Sequence, residues 1–217
     1  LFMIGYDTTT GFGLYYFKYA YGDEGMYSIF AIILGVSQVA ALVIFPLFSK
    51  KFERKKLYLY ATVLVLLGYV IFFFAPTDTM TFIGIAGILI FIGQAFIQLL
   101  MLMFLADTVE YGHWKFGKRN DSVTFSIQPF INKMGGAIST GVVGATVIIS
   151  GIKEADSAAD VTESGLLIMK AAMLILPLIC IVIGYFIYRS KYKIDTQMYE
   201  KIIKELEERS EHTAKKE

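Results

Sequence analysis

Long apolar runs separated by short polar breaks dominate the chain. Residues 26–48, 57–75 and 82–106 contain no charged side chain, and 166–188 contains only Lys170. Helices of this length rise roughly 28–38 Å at about 1.5 Å per residue, enough to cross a hydrocarbon core about 30 Å thick. Residues 123–150 form a fifth run, interrupted by Pro129 and Lys133, and residues 1–22 read as the end of a sixth. The pattern predicts an all-α, polytopic membrane protein with six transmembrane helices, the first of them truncated. This bundle occupies residues 1–189, and a cytoplasmic helical tail follows over 190–217. In the tail Met198, Ile202, Ile203 and Leu206 make an apolar stripe flanked by Glu/Lys pairs four apart. That is an amphipathic helix, suited to the membrane surface or to the basic loops.

Composition agrees with this reading. The chain is 56% hydrophobic and 18% charged with a mean hydropathy of +0.59, against roughly 25% charged in soluble domains. Net charge is only +1, but its distribution along the chain is uneven. Lys50, Lys51, Arg54, Lys55 and Lys56 fill one connection, Lys115, Lys118 and Arg119 another, and Arg189, Lys191 and Lys193 the last exit. The alternate connections hold only Lys18 and Lys153 among many acids. Basic residues collect on the cytoplasmic side of membrane proteins, so the basic connections and the C-terminus are expected there. The chain starts with Leu1 and is apolar at once, without the charged region of a signal peptide, so a piece of a longer protein is expected. Cys180, the single cysteine, lies mid-span as a packing residue.

Candidate chemistry concentrates in residues 106–136. Asp107 and Glu110 close one apolar run, and Lys115, Lys118 and Arg119 follow. The next helix then carries Thr124, Gln128, Asn132, Gly135 and Ser139 as one polar stripe, with Ser126, Pro129, Lys133 and Thr140 alongside. A Lys at the centre of a membrane helix costs about 2.5–3.5 kcal/mol on insertion scales, so such groups mark functional sites. Gln94 and Gln98 share a face of the preceding helix; the first reads as a brace and the second as a solute contact. The stretch reads as one wall and one gate of a solute pathway: Gln98, Gln128, Asn132 and Lys133 for binding, Asp107, Glu110, Lys115 and Arg119 for gating. Lys133 has a second reading, as the partner of a carboxylate that holds helices together. Near the start, Asp7 and Thr8 to Thr10 either line a cavity or bond back to the helix, and Tyr15, Tyr16, Tyr19 and Tyr21 suit an interfacial aromatic belt. No phosphate-binding loop, HExxH, metal-spaced Cys/His set or nucleophile elbow is present in the sequence. An enzyme, a resident cofactor and a nucleic-acid partner are therefore not expected.

The run ADTVEYGHWKFGKR, followed by NKMGGA at 132–137, resembles the signature of the glycoside–pentoside–hexuronide:cation symporters. These form the melibiose, lactose and raffinose permease branch of the major facilitator superfamily. LYYFKYAYGDE, FERKK and YEKIIKELEER also fall where that family has similar segments. The resemblance implies the C-terminal six-helix half of a twelve-helix carrier in the cell membrane. It implies sugar uptake coupled to H⁺ or Na⁺ by alternating access, with an N-terminal half completing the site. By the same likeness Asp107, Glu110 and Arg119 match charged positions that close the cytoplasmic side. Lys133 matches an intramembrane lysine near the sugar and cation sites, and Gln128 and Asn132 face the sugar. The main cation carboxylates of the family lie in the other half, so this piece alone is not expected to transport. Rival readings are a related symporter for a non-sugar solute such as a lysolipid, a membrane-embedded enzyme, and a non-transporting sensor of the same fold.

Overall fold

A computed structural model describes residues 1–155 and 157–214, with side chains through residue 209. Every regular element among the described residues is a helix, with no strand. Helix α1 is Phe2–Tyr15 and continues as a π-helical stretch, Tyr16–Tyr21. There follow α2 (Met26–Lys51), α3 (Arg54–Phe74), α4 (Met80–Phe116), α5 (Asp121–Ile149), α6 (Glu163–Lys191) and α7 (Thr196–Ala214). Four of these, α2, α3, α4 and α6, are long and apolar enough to cross a membrane. Of the six expected spans, α5 misses that standard because its polar stripe dilutes its hydropathy, and α1 because it is short.

The tightest packing in the bundle joins α3 to α4. A Cβ on Gly68 would lie 2.9 Å from the Ile90 nitrogen, and one on Gly93 would lie 2.9 Å from the Ala61 carbonyl oxygen. Glycine at both places lets the two backbones touch, the usual device where lipid supplies no hydrophobic drive between helices. Helix α1 is wedged between α5 and α6, with Gly135 against Met3 and Gly5 against Pro177. Of the two readings of the α1 threonines, bonding back to the helix holds for two of them: Thr9 donates to the Gly5 carbonyl and Thr10 to the Tyr6 carbonyl, both at 3.1 Å. Thr8 meets Ser139 Oγ at 2.8 Å and Ser139 donates to the Ile4 carbonyl. Thr9 contacts the Tyr69 hydroxyl at 2.6 Å, and Gln94 Nε2 donates to that same hydroxyl at 3.1 Å. Thr8 and Thr9 are thus buried ties between helices, and Gln94 is the brace that its position predicts.

Two features depart from the sequence reading. Tyr16 and Tyr19 are buried instead of forming a belt. The π turn carries Tyr16 into edge contact with Phe72 at 5.1 Å, and the Tyr19 hydroxyl donates to the Ala155 carbonyl. The connection expected at 107–121 is mostly helix, since α4 runs on to Phe116 and stops only at Gly117, whose φ is 70°. Charges there end the apolar run but not the helix; a left-handed glycine does that. The basic connection at 49–56 is likewise made of helix ends, the last turn of α2 and the first of α3.

Candidate functional site

A cavity of about 260 Å³ opens where α5, packed on α1, passes beside α4. Gln98, Met101, Phe104, Leu105 and Thr108 line it from α4, Gln128, Ile131 and Asn132 from α5, and Met3 from α1. Tyr192, just beyond α6, completes the lining. Gln98 to Thr108 advance along one face of α4 at helical spacing, and Gln128 and Asn132 are one turn apart on α5. Three of the four residues singled out for binding therefore share one chamber. None of the three side-chain amides bonds another group among the described residues, so each leaves a donor and an acceptor available at the cavity. Lys133 stands apart: it is exposed on the neighbouring face of α5 and does not line the cavity. One turn on, Gly136 faces the Asp7 carboxylate, which a Cβ there would approach to 3.6 Å. Lys133 makes no ion pair among the described residues.

The charged end of α4 divides into separate clusters. Asp107 is 2% exposed and pairs with Arg54 of α3. The Tyr192 hydroxyl donates to the same carboxylate oxygen at 2.7 Å. The Arg54 guanidinium also lies 4.7 Å from the Tyr199 ring centroid, a cation–π contact from α7. Burial, reinforced by that bond to Asp107, pushes the Tyr192 hydroxyl well above its usual range, so it stays a donor. Arg119 instead meets Glu110 at 2.9 Å and Asp121 at 2.8 Å. The hydrogen bond to Asp121 and the charge of Glu110 raise its pKa further. Lys115 pairs with no carboxylate among the described residues and sits over the Tyr111 and Phe116 rings.

Sequence reasoning missed Arg54, Tyr192, Trp114 and Glu205. Trp114 Nε1 donates to Glu205 at 2.6 Å, and Arg209 donates to the Trp114 carbonyl, so α7 lies on the charged end of α4. Ile202 is the buried centre of that contact, at 1% exposure. Only the apolar stripe of α7 signalled a docking face, and nothing local identified its partner. Among the described residues no group of three or more metal-ligating side chains occurs. The arrangement can donate and accept hydrogen bonds through its amides, and most of the remaining lining is apolar.

The signature of the MFS/sugar transport protein family matches residues 1–196. The raffinose carrier protein of Pediococcus pentosaceus is 34% identical over 94% of the chain, which covers 32% of that relative. The lactose permease of Lactobacillus delbrueckii subsp. bulgaricus is 30% identical over 94% of the chain and 32% of its own length. The lactose permease of Leuconostoc lactis is 29% identical over the whole chain, again covering 33% of the relative. The chain thus spans about a third of the length of these relatives.

Proposed function

Because the chain belongs to the MFS/sugar transport protein family, we propose that it forms the C-terminal six-helix half of a cation-coupled sugar symporter. The convergence of Gln98, Gln128 and Asn132 on one cavity carries this reading. Sugars are uncharged and bristle with hydroxyls, and amides can both donate to them and accept from them. The carrier names of the relatives support a galactoside or related glycoside as solute. Helices α1 and α5 count as membrane spans in this reading, the polar stripe of α5 being shielded by α1 and by a preceding half of the polypeptide. The basic connections support a cytoplasmic location for the α7 end, in the cell membrane.

Lys133, exposed at mid-helix next to Asn132, serves solute binding or coupling in the assembled carrier. Asp107, Glu110, Lys115 and Arg119 serve the cytoplasmic gate. Glu110 is half-buried and Arg119 open to solvent, and solvent screening leaves such a pair weak enough to break in each cycle. The coupling ion is H⁺ or Na⁺, bound chiefly in the other half. The test is full-length protein in proteoliposomes under imposed H⁺ or Na⁺ gradients, with galactosides outside. Accumulation that follows one gradient supports the symporter. Binding or movement of lysolipid in place of sugar would replace the solute assignment.

A further inference from the structure

Two cavities are linked by the Tyr192–Asp107 hydrogen bond. On one side is the amide-lined chamber, which Tyr192 lines together with Phe104 and Thr108, the last of its α4 residues toward the charged end. On the other is a charged vestibule of about 340 Å³, lined by Glu53, Arg54, Lys55, Asp107 and the start of α7. Tyr192 belongs to the inner lining and Asp107 to the outer, and the hydrogen bond between them joins the two linings. The Tyr192 ring is packed as a plug, 4.8 Å from Phe104 and 5.0 Å from Tyr188 between centroids. It stands at the start of the short joint that links α6 to α7, outside either helix. Its backbone N–H caps α6 on the Tyr188 carbonyl at 2.8 Å, and on its other side the chain is held through α7. That helix is fastened by Tyr199 on Arg54, by buried Ile202, and by the Trp114–Glu205 and Arg209–Trp114 bonds.

We infer that Tyr192 seals the α7-side end of the amide cavity, and that docked α7 is the strap that holds the seal. The inference rests on reading that cavity as part of a solute pathway. A solute leaving toward the vestibule must displace the Tyr192 ring and break its bond to Asp107. Undocking α7 slackens the joint and favours the open arrangement without touching the amides.

The test uses the full-length protein, freed of its other cysteines and carrying Met101→Cys, a cavity-lining position. In sealed proteoliposomes a membrane-impermeant maleimide is applied separately to each face. Tyr192→Phe and Trp114→Phe are each expected to speed labelling from the α7 side about tenfold, the population shift for one lost hydrogen bond to a charged group. Labelling of an Asp78→Cys control at the opposite end is expected to stay unchanged. Trp114→Phe should also leave equilibrium sugar binding as it was, which separates the strap from general damage to the fold. Unchanged labelling in Tyr192→Phe overturns the seal, and unchanged labelling in Trp114→Phe overturns the strap. If the parent protein binds no sugar, the symporter reading fails, while the labelling result still decides the seal.

Discussion

Asp107 accepts from Arg54 and from Tyr192 on a single oxygen while almost wholly shielded from water. Removing one member of a buried pair strands the other, at about 3–5 kcal/mol. Arg54 keeps part of its side chain in solvent, so Asp107→Ala is expected to cost about 2–3 kcal/mol, less than that full penalty. A fall in the thermal midpoint of the detergent-solubilised full-length protein measures it. Replacing both partners with apolar residues, Arg54→Met with Asp107→Leu, is expected to recover much of the midpoint, because neither charge is then left unpaired. The Tyr192 bond follows a different titration. Its raised pKa means the stabilisation is intact below the unfolded value of about 10 and is lost only as pH rises through the higher folded value. Its contribution to the midpoint is therefore expected to be flat between about pH 6 and 9. A titration of the Tyr192→Phe difference within that window would contradict this.

Among elements, the α3–α4 pair and the α4–α7 pair depend on opposite means. Glycines let α3 and α4 meet at backbone distance, so Gly93→Ala sets a gain in helix propensity of about 1 kcal/mol against a clash with backbone atoms. The Cβ would lie 2.6 Å from Val65 Cγ2 and 2.9 Å from the Ala61 oxygen, and backbone cannot swing aside. A net loss of about 1–3 kcal/mol is expected, read as a lower thermal midpoint. Helix α7, in contrast, is held by a few side chains around Ile202. Trp114→Phe is expected to raise hydrogen exchange in α7 about tenfold while leaving α3 and α4 protected, since losing one charged hydrogen bond of about 1.5 kcal/mol shifts a local opening by that factor.

At the scale of the whole molecule, much of α5 is bare. Val123, Phe130, Met134, Ile138 and Ile148 are exposed, and so are Lys133 and Thr140 among them. Gly141 and Gly144 have open space where a side chain would stand. If, as proposed, a preceding half packs on this face, it fills that space, and Gly141→Leu is then expected to lower the midpoint of the full-length protein although no neighbour among the described residues opposes it. Inside the chamber, Gln128→Ala and Asn132→Ala are each expected to weaken sugar binding about tenfold, as one hydrogen bond is worth roughly 1.4 kcal/mol. Equilibrium binding to the full-length protein in detergent measures both.

What the sequence alone determined is what depends on local composition and period. The helical class, the membrane-crossing runs, the basic asymmetry and the amphipathic tail all follow from which residues recur every three or four positions. That Gln128 and Asn132 share one face of α5, and Gln94 and Gln98 one face of α4, was legible too, because a spacing of four on a helix fixes it. Contacts between residues far apart in the chain were decided only by tertiary structure. No local signal pairs Arg54 with Asp107, or brings Tyr192 from beyond α6 to the mouth of a cavity between α4 and α5. Lys133 shows the limit from the other side: neighbour to Asn132 in sequence, it falls one hundred degrees around the helix and outside the chamber. Periodicity tells which residues share a face, but the direction of that face is set by the neighbours it packs against.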